Sequence, residues 1–337
     1  MAELVPLVDQ LRGGFVECRH FGAIAVVDTA GCVLAHAGDP YWVTFTRSTI
    51  KAFQALPLLE SGTANRLNLE PEHLALVCAS HNGEPKHVNV VQSLLDRAGQ
   101  HRDTMQCGCH PPIFTELGIA APEGFVADVR HNNCSGKHAG FLAYCADHGL
   151  STTDYLEPGH PLQIAIRRHV ARAVGLREDQ LKFGIDGCSA PNYAMPLAHL
   201  ARGIARLSSG IRDIEFGASF ARLAEAMVTH PDLIGGERRN DVAFMRAGRG
   251  DWVSKIGVDG LQVVGSRSRG LAVALKLADG NMVAQHAATV EVLDQLGWLD
   301  DAQRIELEPW RASEVLNVRG HLVGTRRATF ALQFSAP

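Results

Sequence analysis

Short apolar runs broken by tight polar turns mark both ends of the chain, while helical spacing dominates its middle. Near the start, Ala23-Ile24-Ala25-Val26-Val27-Asp28, the turn Thr29-Ala30-Gly31 and then Cys32-Val33-Leu34-Ala35-His36 read as two strands around a turn. Residues 48–61 place Ile50, Phe53, Leu56, Leu58 and Leu59 at roughly helical spacing behind a Ser-Thr start. Leu74-Ala75-Leu76-Val77-Cys78 is a short, strand-like apolar run leading into the polar turn Ser80-His81-Asn82-Gly83. Helical patterns follow at about 86–98, 138–148, 160–174, 194–207 and 215–229. Leu261-Gln262-Val263-Val264-Gly265 and Leu271 to Leu277 return to strand character, followed by a helix at about 282–296 and a weak segment at 315–323. The expected fold is α+β, with one antiparallel sheet drawn from both chain ends and a helical middle over about 48–230.

The length of 337 residues, with 46% hydrophobic and 20% charged residues, fits a globular chain read as a single domain over 1–337. A net charge of −4 gives no electrostatic footprint for nucleic acid. The start Met1-Ala2-Glu3-Leu4 has no basic, apolar leader character, and no run approaches a membrane span, so a cytoplasmic protein is expected. Asn133-Cys134-Ser135 matches a glycosylation sequon, a reading that fails without export.

Three short motifs carry candidate chemistry. Ser48-Thr49-Ile50-Lys51 puts a hydroxyl and an amine three positions apart, on one helical face. A desolvated lysine can take the serine proton, although an ordinary helix start looks the same. Ser80-His81-Asn82 and Ser254-Lys255-Ile256-Gly257 follow. S-x-x-K, S-x-N and K-x-G in this order resemble penicillin-binding proteins and serine β-lactamases, with Ile where the last motif usually has Thr or Ser.

Eight Cys are too few for a disulfide scaffold. Cys134-Ser135-Gly136-Lys137-His138 and Gly187-Cys188-Ser189 lie in polar turns, where two thiolates and a nitrogen could hold zinc with one position open. Buried thiols are the plainer alternative, and plainer still for Cys107 and Cys109. Cys18, Cys32, Cys78 and Cys145 sit in apolar patterns and are expected in the core.

Longer stretches carry a family resemblance. They include Arg12-Gly13-Gly14-Phe15-Val16-Glu17, Arg47-Ser48-Thr49-Ile50-Lys51-Ala52-Phe53-Gln54 and Cys78-Ala79-Ser80-His81-Asn82-Gly83-Glu84. Asn132-Asn133-Cys134-Ser135-Gly136-Lys137-His138 and Asp186-Gly187-Cys188-Ser189-Ala190-Pro191 complete the set. Together they resemble the asparaginase family typified by the inducible and constitutive enzymes of Rhizobium. The resemblance implies a fold similar to serine β-lactamases and glutaminases, a homodimer, and two Ser-Lys tandems, Ser48 with Lys51 and Ser80 with Lys255. It also implies zinc on Cys134, Lys137 and Cys188; spacing alone would have chosen His138 over Lys137.

The expected activity is hydrolysis of L-asparagine to L-aspartate and ammonia through a lysine-activated serine, Ser48 ahead of Ser80. The alternatives are a glutaminase, a β-lactam-type hydrolase, or a non-catalytic zinc- or amino-acid-binding protein on the same fold. Arg47 and Glu84 are the expected ionic anchors for a zwitterion, with His81, Asn82, Asn133 and His138 as further substrate contacts. Asp186 and His138 are expected to orient the metal ligands. Zinc is expected to order loops rather than activate water, since two thiolates blunt its Lewis acidity.

Overall fold

The computed structural model describes residues 2–121, 123–311 and 313–335; Met1, named above, lies outside them. Its strands are β1 (Val5–Arg12), β2 (Phe15–Asp28), β3 (Val33–Ala37), β4 (Val43–Phe45), β5 (Lys182–Ile185), β6 (Pro191–Pro196), β7 (Trp252–Gly257), β8 (Leu261–Ser266), β9 (Leu271–Leu277), β10 (Glu314–Leu316), β11 (Leu322–Ala328) and β12 (Gln333–Phe334). The large sheet has nine strands in the order β10-β11-β1-β2-β9-β8-β7, with β3 pairing β2 and β12. All its pairings are antiparallel. Both chain ends therefore build one sheet, as the apolar runs imply. The long strand β2 joins them, pairing β9 from Gly22↔Leu277 to Asp28↔Leu271.

Strand alternation sorts side chains into two layers. Ala23, Ala25 and Val27 of β2, with Ala272 and Ala274 of β9, join the large core beneath the helical part. Ile24 and Val26, with Val273 and Leu275, face a second core against helices Met282–Gln295 and Asp301–Arg311. The first face is small because helix Leu197–Ser209 lies close on it. A Cβ on Gly265 would stand 2.1 Å from Ser208 Oγ. Both faces being covered explains why β7 and β8 are buried along their full length, their polar Ser254, Lys255, Gln262 and Ser266 included.

Several expectations change. Residues 71–77, Pro71–Val77, form a helix, not a strand: Pro71 opens it and Glu70 and His73 form a capping box. Residues 48–61 break into a 3₁₀ turn, Arg47–Ile50, and short helices Lys51–Gln54 and Leu56–Glu60. The helix expected from 194 starts at Leu197, because Pro191–Pro196 is β6. That strand is the middle of a second sheet, β4-β6-β5, set within the otherwise helical middle. Cys18 and Cys32 are exposed, on β2 and in the turn after it, whereas Cys78 and Cys145 are buried. Among the described residues no helix is long and apolar enough to cross a membrane.

Candidate active site

The second sheet holds the first motif. Arg47 has φ of 48°, a left-handed conformation costly for a side chain of its size. The Asn192 amide clamps it from both sides. Its Oδ1 accepts from Arg47 N at 3.1 Å and its Nδ2 donates to Arg47 O at 3.0 Å. Thr46 N and Oγ1 both donate to Tyr193 O, at 3.0 and 2.8 Å. The chain thus enters the turn carrying Ser48 and Lys51 from a fixed point. The Ser80 turn is pinned as well: Ser80 N donates to Ile234 O at 2.9 Å and Asn82 N to Gly235 O at 2.8 Å.

Ser48, Ser80 and Asn133 line one cavity of about 230 Å³, walled by Ile113, Leu117, Ile256, Val258 and Trp310. Joined to two of these lining residues, the buried Lys51 amine donates to Ala79 O and to Asn133 O at 3.4 Å, and meets Ser80 Oγ at 3.0 Å. Ser48 Oγ has no hydrogen-bond partner among the described residues, and its hydroxyl is open to the cavity. The family resemblance implies the pairs Ser48 with Lys51 and Ser80 with Lys255. The hydrogen bonds pair Lys51 with Ser80 instead.

Lys255, on β7, turns to Ile256 O at 3.0 Å and to the Asp241 carboxylate at 3.4 Å. Asp241 also accepts from Ser254 Oγ, Gln262 Nε2 and Ile256 N, at 2.8, 3.1 and 2.9 Å. Burial pushes its carboxyl up, but Lys255 and these donors outweigh that and hold it below the usual range. Burial, opposed by Asp241 and aided by the charge of Lys51, brings the Lys255 amine down to about 8.

The other expected contacts divide. Asn133 lines the cavity. Arg47 does not: its guanidinium pairs with Asp186 at 2.9 Å and with Asp259, beside a separate cavity. Glu84 caps helix Pro85–Arg97 and accepts from Asn82 Nδ2 and Glu237 N. Gly83 N donates to His81 Nδ1, so His81 Nε2 carries the proton and donates to Ser135 Oγ at 2.8 Å. His81 is therefore a neutral brace, consistent with burial holding its imidazole well below the usual range. Asn82 faces the cavity only through another residue, accepting from Arg239 Nη1 at 3.1 Å. Arg239 lines the cavity, and burial lowers its guanidinium from the usual arginine range. Arg239 and its neighbour Arg238, which also lines the cavity and donates to Leu117 O at 2.9 Å, are cations that no motif in the sequence singled out.

Cys134, Lys137 and Cys188 meet, although 51 residues separate the last two. Cys134 caps helix Ser135–Asp147 and Lys137 sits in its first turn, with Nζ 3.1 Å from Cys188 Sγ. The Cys134 thiol, with help from Lys137, holds Cys188 at about 4, while the same contact and burial push Cys134 up to about 12. Asp186, bonded to Arg47 and Gly187 N, shapes the turn that carries Cys188. His138 points elsewhere: its Nδ1 lies 2.7 Å from the Tyr155 hydroxyl, which accepts from Gln106 N. Among the described residues no group of three His, Cys, Asp or Glu side chains suits a metal. A metal at this cluster therefore depends on the lysine nitrogen. Burial opposes the charge on Lys137, but Cys188 and Cys134 outweigh it and hold the ammonium above the usual lysine range, so its nitrogen joins the two sulfurs as a zinc donor only on giving up its proton.

No curated protein matches the chain. The L-asparaginase II family model matches residues 8–328, from β1 to the end of β11, and takes in every residue of the cavity and of the cysteine cluster. The chain belongs to the L-asparaginase II family of amidohydrolases.

Proposed function

We propose that the protein hydrolyses the side-chain amide of L-asparagine, giving L-aspartate and ammonia through a serine ester. The observation that carries this reading is the buried Lys51 amine, bonded to Ser80, which lines the same cavity as Ser48. Lys51 meets two carbonyls, which only accept, and one hydroxyl. An unprotonated amine here would give two N–H groups to the carbonyls and keep its lone pair for a serine proton.

Ser48, whose hydroxyl is otherwise uncommitted, attacks the amide carbon, and its proton passes to Lys51. Collapse of the tetrahedral intermediate breaks the C–N bond, and ammonia leaves with a proton returned from Lys51 through Ser80. Water, deprotonated by the same amine, then cleaves the β-aspartyl ester and regenerates Ser48. Arg239 anchors the substrate carboxylate, and Asn82 holds Arg239 in place. Lys255, paired with Asp241, keeps a positive charge near the reacting centre below about pH 8. The 3.0 Å Lys51–Ser80 contact favours one second reading, with Ser80 as nucleophile and Ser48 as relay.

Cys134, Cys188 and Lys137 would hold zinc, which when bound supplies a cross-link between the helix start at Ser135 and the Cys188 turn. The protein is proposed to act as a cytoplasmic homodimer. Free thiols at all described cysteines and the exposed Val43, Phe45, Phe183 and Ile185 on the second sheet support that reading. Assaying ammonia release from asparagine, glutamine and a chromogenic lactam tests the substrate. Turnover led by asparagine is expected, and turnover led by either of the others overturns the assignment.

A further inference from the structure

A second, larger cavity of about 750 Å³ opens between the β2–β3 turn, helices Pro161–Val174 and Leu197–Ser209, and the start of β9. It lies apart from the serines and shares no lining residue with their cavity. Five arginines line it, and their partners differ in a telling way. Arg206 is buried and satisfied, by Asp213, Glu215 and the carbonyls of Arg172 and Ala173. Arg172 pairs with Glu215 at 2.6 Å. Arg212 donates to Arg267 O, and Arg269 reaches Asp251 at 3.7 Å with its guanidinium over the Trp298 ring.

Arg202 has nothing. Among the described residues it makes no hydrogen bond or ion pair, and its Nε is buried without an acceptor. The nearby helix end cannot supply one: Arg206 takes the carbonyls of Arg172 and Ala173, and His199 Nδ1 bonds to Val174 O at 3.0 Å. Asp28, on the rim, already accepts from Gly31 N and Cys32 N. Yet the fold makes room for this side chain. A Cβ on Gly175 would stand 1.8 Å from Arg202 Nη1, and one on Gly31 3.1 Å from its Cδ. A guanidinium held in a slot between two glycines, with a desolvated donor left over, lacks a counter-anion.

The structure assigns this cavity as a binding site for a small polyanion bearing a diphosphate group. The acidic residues that line it already serve Arg172, Arg206 and the β2–β3 turn. The charge left over is Arg202, and Arg212 and Arg269, which line the same cavity, use only part of their guanidinium donors. Separated fork-shaped donors match the several oxygens of a diphosphate better than one carboxylate.

Titration calorimetry of the purified protein with pyrophosphate, at constant ionic strength, tests this. One saturable site is expected, weakened about tenfold or more in Arg202→Gln and restored only in part by Arg202→Lys, with unchanged melting temperatures. Arg212→Gln, which leaves Arg202 in place, should weaken binding less. Absence of saturable binding to wild type overturns the proposal. So does equal affinity in wild type and Arg202→Gln, or equal competition by L-aspartate, which would mark an unselective basic patch.

Discussion

Lys51 and Lys255 are buried to the same degree, yet their surroundings are opposite. Lys51 faces two carbonyls and a serine, and no carboxylate lies within ion-pair distance of it among the described residues. Lys255 faces Asp241 inside a closed polar network with Ser254 and Gln262. A lysine beside dipoles can pass a proton to and fro without leaving a charge stranded. One beside a carboxylate is fixed as half of an ion pair. Two lysines that look alike as Ser-Lys motifs are thus suited to different work: proton transfer at Lys51, and a standing charge at Lys255.

The largest effect should come from removing the first. Lys51→Met is expected to lower kcat by about 10⁴-fold or more while circular dichroism stays unchanged, because nucleophile and base act as a unit. Lys255→Met should be milder, about ten- to a hundredfold in kcat, since a nearby charge rather than the base is lost. Equal losses in the two variants would erase the distinction between the lysines.

Stability should rank them the other way. Asp241→Asn leaves Lys255 without its buried partner and is expected to cost about 3 kcal/mol in urea unfolding. In the fold the Lys255 amine is brought down to about 8 from the ordinary lysine value of 10.5 that it keeps in the unfolded chain. Between those values the unfolded chain holds the extra proton, so this group's contribution to stability rises with pH across that window and is flat below it. Comparing urea midpoints of wild type and Lys255→Met on either side of the window checks the sign: the wild type should gain on the variant as pH rises.

Smaller effects concern binding. Arg239→Gln is expected to raise KM about ten- to a hundredfold with a lesser change in kcat, through loss of a charged hydrogen bond. Zinc measured by elemental analysis should fall to background in a Cys134→Ser, Cys188→Ser double variant. Its removal by chelator should raise KM or lower the melting temperature more than it lowers kcat. A kcat loss beyond about a hundredfold at constant KM would instead place the metal in the transition state.

What the sequence made legible follows from range. The β2–β3 and β8–β9 hairpins and the helix Gly217–Thr229 are local patterns and read directly. The run Leu74–Val77 has no period of its own, and only the Glu70-Pro71 start marks it as helical. In the site, Ser48, Ser80 and Asn133 announce themselves by motif. Asn192, which clamps Arg47 from 145 residues away, and Asp241, 14 residues before Lys255, do not. Their roles exist only once the two sheets have formed. The partners of Arg47 and Glu84 were hidden for the same reason: Asp186 and Glu237 N meet them from sites that no spacing reveals.

The most direct test of the central claim is mass spectrometry of the enzyme acid-quenched during turnover of L-asparagine. The account predicts a β-aspartyl ester on the peptide carrying Ser48, present in wild type and absent in Lys51→Met. The ester on the Ser80 peptide would exchange the roles of the two serines. Ammonia release at full rate from Lys51→Met would contradict the account outright.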